Sequence, residues 1–201
     1  DNRSICLRHD IDFSLEDAYE IAVIEEQSNI KATYFFMLSS NTYNSMSTES
    51  QRIILDIANK GHNISLHFDP TAHKNLDHGF NLEKKIFEDL FNTHVKIVSL
   101  HRPGKFLDNN NRKLKGSLHT YQDIFFKDMI YLSDSGGADI VNKLNNIDFV
   151  KLNKPLHILL HPIWWTTETS SPTETLLKWI DSHKSFMMLE TKRNCKSFKS
   201  L

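Results

Sequence analysis

Short apolar runs rich in β-forming residues alternate with helical stretches along most of this chain. We predict strands over residues 5–7, 32–38, 62–68, 94–100, 129–133 and 156–160. Because repeated strand-then-helix units of this spacing need crossover connections, the strands are expected to run parallel. A count of about seven strands favours a distorted or incomplete (β/α) barrel, with an open doubly wound sheet as the alternative.

Capping residues mark where several of the predicted helices begin and end. Ser14, followed three residues later by Asp17, is a typical N-terminal cap, and Gly61 stands where a C-terminal glycine is expected. Ser171 followed by Pro172 is another strong helix start. We predict helices over residues 14–28, over 48–60, from 81 onward and over 173–183.

The bulk composition is that of a soluble globular protein. The 201 residues suit one domain with a single core, so we predict one catalytic domain over residues 1–201, with a polar tail from about residue 192. A formal net charge of −1 argues against a general nucleic-acid binder. No apolar stretch approaches the roughly 20 residues that span a bilayer, so no membrane span is expected.

Cysteine usage gives a weak indication of the compartment. Cys6 and Cys195 lie near opposite ends of the chain and match neither a disulfide framework nor a zinc-ribbon spacing. We therefore expect a cytoplasmic protein. The chain begins with Asp rather than Met, which is compatible with a domain of a longer protein, and the sequence predicts no oligomeric state.

The segment Arg8-His9-Asp10-Ile11-Asp12 carries the strongest chemical signal in the chain. Its carboxylates follow an apolar run, so we expect them where a strand ends, which is where α/β folds gather catalytic groups. Side chains alternate along a strand, so Asp10 and Asp12 point the same way and His9 the other way. Neighbouring like charges repel unless a cation or a proton separates them. The pattern indicates one metal-binding carboxylate and one free base, with a solvated acidic loop as the alternative.

Three later strand ends also carry polar side chains. They belong to His67, to His101 with Arg102, and to His161. In a barrel these strand ends converge at one mouth. A carboxylate with two imidazoles is a common catalytic ligand set for zinc and related metals. Core packing does not explain so many polar groups at strand ends, because buried polar groups need partners.

Six segments between Leu7 and Trp165 read LRHDIDFSLEDA, IKATYFFML, GHNISLHFD, SLHRPG, YLSDSGG and LLHPIWW. In sequence and in order they resemble segments of the polysaccharide deacetylases of the NodB-homology type, carbohydrate esterase family four. The resemblance is closer to a WbmS-like branch linked to surface-polysaccharide gene clusters. The resemblance implies an incomplete (β/α) barrel of the NodB-homology type and the hydrolysis of N-acetyl groups on sugars.

The resemblance also implies roles for the residues at matching positions. Asp10 would be the catalytic base, Arg102 would orient it, and His161 would be the catalytic acid. The implied metal ligands are Asp12 and His67. The implied cofactor is one divalent metal; zinc is the first expectation, although cobalt, nickel, manganese and iron also suit such ligands.

The chain departs from the family pattern at Thr71, where the family has a second histidine four residues after His67. A third metal ligand must therefore come from elsewhere or be absent. We predict that it is His101, at a neighbouring strand end, and keep His73 and Asp69 as alternatives.

Two further residues are candidates for contacts with substrate. Asp134 ends another predicted strand and is predicted to contact sugar hydroxyls, with a capped glycine-rich turn as the alternative. Trp164, beside Trp165, offers a flat amphipathic ring of the kind on which a sugar can stack.

The residues and the resemblance together predict a metal-dependent hydrolase of amide bonds. It would remove the N-acetyl group of a sugar in a surface polysaccharide, such as a lipopolysaccharide O-antigen, or in its precursor, and release acetate. The expected partner is an N-acetylated sugar or polysaccharide, which the sequence does not specify further. Two alternatives stay open: an inactive barrel that binds carbohydrate, which Thr71 favours, and a metal hydrolase of another C–N or ester bond.

Overall fold

The structure, a computed structural model, describes residues 4–109, 113–149 and 151–199 and contains two compact units. The first unit extends to Thr166, and the second begins at Thr167. Every strand of the described residues belongs to the first unit.

Seven parallel strands form one curled sheet in the first unit. They are β1 (Ile5–Ile11), β2 (Thr33–Phe36), β3 (Asn63–Phe68), β4 (Ile97–Leu100), β5 (Leu118–His119), β6 (Ile130–Ser133) and β7 (Leu156–Leu160). Their order across the sheet is β5-β4-β3-β2-β1-β7-β6, which is barrel order except that β5 and β6 are not paired among the described residues. The predicted incomplete (β/α) barrel is confirmed, and the doubly wound sheet, which reverses strand order at a switch point, is excluded.

The connections between strands contain helices and short turns. Within the described part of this unit the helices are α1 (Leu15–Gln27), α2 (Thr48–Asn59), α3 (Leu76–Phe91), α4 (Asp123–Phe126) and α5 (Val141–Asn145). Short 3₁₀ turns are formed by Gly104–Asn109, Ser135–Gly137 and Pro162–Trp164. The long helices α1, α2 and α3 pack their apolar sides into the main core, which is formed with β1 to β4.

Side-chain caps explain where the first two helices begin and end. Ser14 is the N-cap of α1, as predicted, and its Oγ accepts a hydrogen bond from the backbone N–H of Asp17 at 3.1 Å. Helix α2 begins at Thr48, but its capping side chain is that of Ser47. Gly61 follows the end of α2 with a φ of 91°, a left-handed conformation that glycine adopts without steric cost.

Helix α3 begins at Leu76, earlier than the predicted start at residue 81. Asn75 caps it by accepting a hydrogen bond from the N–H of His78 at 3.0 Å. Gly79 lowers helix propensity in the first turn, which hides this start in the sequence. The glycine is needed there because a Cβ at that position would lie 2.2 Å from the ring of His73.

Two strands differ from the predictions in ways that matter for the site. Strand β1 extends to Ile11, because its pairing with β2 continues to that residue, so Asp10 lies inside the strand rather than after it. Strand β5 has only two residues and was not predicted. Such a short strand has no periodicity of its own and is defined by its pairing with β4.

The outer face of β1 carries a buried polar cluster against α1. His9 Nε2 lies 2.7 Å from Glu25 Oε1, and the Tyr34 hydroxyl donates a hydrogen bond to Glu25 Oε2 at 2.7 Å. The rings of His9 and Tyr34 stack with centroids 4.4 Å apart. These contacts agree with the prediction that His9 faces away from the acidic pair and has a structural role.

The second unit contains helix α6 (Pro172–Asn194). Ser171 caps it as predicted and accepts a hydrogen bond from the N–H of Glu174 at 3.2 Å. The helix continues past the predicted end at residue 183, since no glycine or proline interrupts it, and includes the first residues of the predicted polar tail. None of the helices in the described ranges is long and apolar enough to cross a membrane.

A buried histidine on β7 makes the stability of the first unit depend on pH. His157 is 2% exposed, and its Nδ1 donates a hydrogen bond to the carbonyl oxygen of Phe125 at 3.0 Å. Burial, reinforced by the positive charge of Arg8, lowers the pKa of His157 to about 4. The ring is therefore neutral in the folded protein at pH 5 and above.

We expect the free energy of unfolding to fall as the pH decreases through the range from about 6.5 to about 4. In this range the unfolded chain binds a proton at His157 that the folded protein does not. Between about pH 7.5 and pH 5 the loss is about 2 kcal/mol, measurable by urea unfolding. His157→Gln should remove this part of the pH dependence, whereas the matched change at the exposed His94 should keep it. An unaltered pH dependence in His157→Gln would contradict the assignment.

Candidate active site

The carboxyl ends of β1, β3, β4 and β7 lie at one edge of the curled sheet, as parallel strands require. Five of the predicted site residues lie at or just after these ends. They are Asp10 and Asp12 of β1, His67 of β3, His101 after β4 and His161 after β7. Asp10 and His161, which are 151 positions apart in the sequence, thus lie at the same edge of the sheet.

Asp10 is 3% exposed, and its carboxylate is held by two other side chains. Arg8 donates hydrogen bonds from Nε to Oδ1 at 2.8 Å and from Nη2 to Oδ2 at 2.6 Å. Ser99 on β4 donates from Oγ to Oδ2 at 2.7 Å and accepts from Nη2 of Arg8 at 2.6 Å. The paired donors of the guanidinium fix the plane of the carboxylate.

Asp10 is ionised in spite of its burial. Burial by itself would raise the pKa of Asp10, but the positive charge of Arg8, followed by that of His67, outweighs it and holds this pKa well below its usual range. The negative charge is therefore present at neutral pH, and the carboxylate can accept a proton.

Three side chains of different strands converge on one point beside Asp10. Asp12 Oδ1 lies 3.1 Å from His67 Nε2 and 3.3 Å from His101 Nδ1. One ligand atom from each of the three residues lies within 4.8 Å of the others. Burial would raise the pKa of Asp12, but hydrogen bonds from His101 and His67 outweigh burial and keep the pKa well below its usual range.

Asp12, His67 and His101 together suit a divalent metal ion, and we call them the metal-ligand group. A tetrahedral ion with ligands at about 2.0–2.2 Å holds them about 3.3–3.5 Å apart, close to the separations of Asp12 from the two imidazoles. A carboxylate with two imidazoles is also a common catalytic ligand set that leaves a position open. The residues present therefore fit the metal that the sequence predicts.

The alternative third ligands are engaged elsewhere. His73 Nε2 lies 2.6 Å from Glu83 Oε1, and its ring stacks on Phe68. Asp69 Oδ1 accepts hydrogen bonds from the N–H and the hydroxyl of Thr71 at 2.7 and 2.6 Å. These contacts favour His101 as the third ligand over His73 and Asp69.

The backbone at the end of β1 is held by the loop after β2. Thr42 Oγ1 donates a hydrogen bond to the carbonyl oxygen of Asp12 at 2.5 Å. The Tyr43 hydroxyl donates one to the carbonyl oxygen of Ile11 at 2.7 Å. The loop therefore restrains the strand end that carries the acidic pair.

His161 faces the metal-ligand group from the opposite side of β1. Its Nε2 lies 3.8 Å from Asp12 Oδ2, and its Nδ1 lies 2.6 Å from Asp134 Oδ1. Burial would lower the pKa of His161, but the hydrogen bond with Asp134 and the charges of Asp10 and Asp12 outweigh burial and raise it. Asp134 therefore holds Nδ1, and Nε2 faces the site.

Asp134 is 1% exposed and its carboxylate is fully engaged. Besides the imidazole, it accepts hydrogen bonds from the backbone N–H of His161 and from Trp165 Nε1, the latter at 2.7 Å. These contacts favour a role in holding His161, and the sugar contact that the sequence suggests stays a prediction. Trp164 is half-buried in the turn after His161 and stays a candidate for a substrate contact.

Arg102 lies at the same edge but does not contact the proposed base. Its side chain is exposed and its φ is 45°, in the left-handed region. None of the hydrogen bonds or ion pairs of the described residues joins it to Asp10, whose carboxylate is held by Arg8 and Ser99.

Sequence reasoning missed Arg8 and Ser99. Arg8 precedes Asp10 by two residues on one strand, so alternation places both on the same face, and this signal was available in the sequence. Ser99 had no such signal, because only the packing of β4 near β1 brings it to the carboxylate.

A small open cleft borders Asp12 of the metal-ligand group, and the space inside it, open solvent included, is about 160 Å³. Asp10, Asp12, Phe13, His161 and Ile163 are among the residues that line it. The base candidate and the acid candidate therefore border the same cleft, beside the metal-ligand group.

No protein-family model and no curated protein matches the sequence. Solved structures do match, with 92% of this chain aligned in each of the three cases that follow. The peptidoglycan N-acetylglucosamine deacetylase Bc1960 has a TM-score of 0.56 at 20% identity over 83% of its chain. The catalytic domain of the corresponding Eubacterium rectale enzyme has 0.52 at 15% over 86%. BA3943 of Bacillus anthracis, a CE4 family pseudoenzyme, has 0.51 at 16% over 62%.

The fold is that of the CE4 polysaccharide deacetylases. The resemblance found in the sequence is thus confirmed in the fold, while the WbmS-like branch stays a prediction. The chain spans only 62–64% of the length of the pseudoenzyme structures that it matches. At these identities the likeness establishes the fold, and the chemistry must be inferred from the site.

We expect His101→Ala to lower the affinity for Zn²⁺ by at least about 100-fold, because it removes one of three protein ligands. His73→Ala is the matched control and should keep the affinity within about threefold, since His73 pairs with Glu83 outside the ligand group. Competition with a chromogenic chelator measures both values. Loss of Zn²⁺ binding in His73→Ala with retention in His101→Ala would reverse the assignment.

Proposed function

We propose that this protein is a metal-dependent hydrolase that removes the N-acetyl group of a sugar, in a surface polysaccharide or its precursor, and releases acetate. The proposal rests on one observation: at the mouth of the barrel, the candidate base, the metal-ligand group and the candidate acid are different residues that lie side by side. An ionised carboxylate, Asp10, stands beside a three-residue metal-ligand group. An imidazole with a raised pKa, His161, stands across the same cleft.

A divalent ion held by Asp12, His67 and His101, which we expect to be zinc, would act as a Lewis acid toward the attacking water and the acetyl carbonyl oxygen. Asp10 is not needed as a ligand, since its oxygens are bound by Arg8 and Ser99. Its role is to accept the proton of the attacking water as the oxygen adds to the carbonyl carbon.

The amine must leave with a proton, because an amide anion is a very poor leaving group. His161 donates this proton from Nε2 to the nitrogen as the C–N bond breaks. Asp134 keeps the opposite nitrogen, Nδ1, hydrogen-bonded and thereby holds the ring orientation. The products are acetate and a free amino sugar, which leaves as its ammonium form. His161 supplies one proton to the nitrogen, and the water proton released when the new carboxyl group ionises supplies the other. The proton taken up by Asp10 returns to His161 through solvent, which restores both residues.

The CE4 structures with the same fold support a carbohydrate substrate, since two of them are peptidoglycan N-acetylglucosamine deacetylases. The identity of the sugar and a link to lipopolysaccharide O-antigen in the cytoplasm stay predictions of this proposal. Trp164, which is half-buried and follows the cleft-lining residue Ile163 in sequence, is the proposed ring-stacking contact.

An inactive carbohydrate-binding barrel is the second candidate, because Thr71 replaces the usual histidine and a pseudoenzyme shares the fold. Acetate release from N-acetylated oligosaccharides by the Zn²⁺-loaded protein separates the two. Turnover supports the proposal. Carbohydrate binding without turnover supports the second candidate. Hydrolysis of simple amides or O-acetyl esters, but not of N-acetylated sugars, would mean that the protein is a hydrolase of another C–N or ester bond.

Asp10→Asn should lower kcat by about 10³-fold or more while Zn²⁺ stays bound, because the variant loses the base and keeps the three ligands. Asp12→Ala should lose both Zn²⁺ and turnover. Metal analysis alongside the acetate assay measures both effects, and a thermal melt checks that each variant is folded. A fully active Asp10→Asn protein would exclude the scheme.

A further inference from the structure

We propose that Arg8 is the residue that positions the base Asp10, in place of Arg102. The inference rests on the proposed function, because it takes Asp10 as the base. It concerns which arginine sets the orientation of the carboxylate.

Arg8 is held in place by its own contacts and in turn holds Asp10, and we call this pair with Ser99 the clamp. The side chain is 2% exposed and gives two donors to Asp10 and one to Ser99. The rings of Tyr121 and Phe35 flank the guanidinium, with their centroids 5.2 and 5.9 Å from Cζ. A planar cation held by hydrogen bonds and by aromatic rings has little freedom to rotate.

The clamp also distinguishes the two oxygens of the carboxylate. Among the hydrogen bonds of the described residues, Oδ2 of Asp10 accepts from both Arg8 Nη2 and Ser99 Oγ, and Oδ1 accepts from Arg8 Nε. Oδ2 is also the oxygen of Asp10 that lies 3.8 Å from His67 Nε2, so the clamp holds Oδ2 beside the metal-ligand group.

Strand geometry makes Arg8 better suited to this task than a loop residue. Arg8 and Asp10 project from the same face of β1, so their backbone positions are fixed by one ladder of hydrogen bonds. Arg102 lies after the end of β4, is exposed, and makes no contact with Asp10 among the described hydrogen bonds and ion pairs.

A double-mutant cycle identifies the partner of Asp10 without any assay of activity. Arg8→Gln and Asp10→Asn, alone and combined, are compared by urea unfolding of the metal-free protein. We expect a coupling of at least about tenfold in the unfolding equilibrium constant, which is 1.4 kcal/mol. The same cycle with Arg102→Gln should give less than about twofold. A large coupling to Arg102 and none to Arg8 would overturn the inference.

Turnover of Arg8→Lys tests positioning separately from folding. Lysine keeps the positive charge but lacks the two parallel N–H donors that bind Asp10. We therefore expect kcat to fall about 10- to 100-fold, while KM and the Zn²⁺ affinity stay within about threefold of the wild-type values. Arg52→Gln, an exposed arginine on α2, is the control and should keep the wild-type kcat. A folded, Zn²⁺-loaded Arg8→Lys protein with wild-type kcat would overturn the inference.

Ser99→Ala replaces Arg8→Lys as the test if the lysine variant does not fold. The alanine removes one donor from Oδ2 and should lower kcat about fivefold at constant KM. An unchanged kcat in Ser99→Ala would count against the inference.

Failure of the proposed function can be distinguished from failure of this inference. If the wild-type protein releases no acetate, the proposed function fails, and the unfolding cycle still decides whether Arg8 is the partner of Asp10.

Discussion

Three charged residues lie at the carboxyl end of β1: Arg8 and Asp10 on its inward face, and Asp12 directly after its last residue. The site depends on the partners that offset the cost of burying these charges. β1 pairs with β2 on one side and with β7 on the other, so its inner side chains are removed from water. An isolated buried charge would be prohibitively costly, and the usual response is a shift in pKa or a partner. Here Arg8 and Asp10 neutralise each other at 2.6 Å, which leaves Asp10 ionised and oriented inside the barrel.

The three carboxylates of the site have separate sets of partners, which gives each a different chemistry. Asp10 is bound by a guanidinium and a hydroxyl, and Asp12 is bound by two imidazoles from β3 and β4. Asp134 is bound by His161 and by the indole of Trp165. Because no carboxylate shares its main partner with another, the proposed base, metal ligand and positioning acid do not compete for the same donors.

At two positions the contacts differ from those that the resemblance to the deacetylases implies. Thr71 stands at the position of the usual second histidine, and the imidazole of His101 comes to the ligand group from the next strand. Arg102 stands at the position of the usual orienting arginine, and Arg8 takes the contact with Asp10 from within β1. A barrel mouth surrounds the site with several strand ends, so one ligand position can be reached from more than one strand.

Local signals in the sequence were sufficient for the repeating architecture and for part of the site. Strand–helix alternation predicted the parallel barrel, and Ser14, Gly61 and Ser171 marked helix ends correctly, because a cap acts within four residues of itself. The early start of α3 and the two-residue β5 were missed. Their causes, the ring of His73 against Gly79 and the pairing with β4, come from other parts of the chain.

The sequence by itself determined which residue types stand at the strand ends, and hence that acids and imidazoles would meet at one edge. Only the tertiary structure decided between candidate partners: Ser99 beside Asp10, His101 rather than His73 or Asp69 beside Asp12, and Asp134 against His161. The reason is physical. Strand periodicity is a local property, whereas a hydrogen bond depends on distances of a few tenths of an ångström between strands that are far apart in the chain.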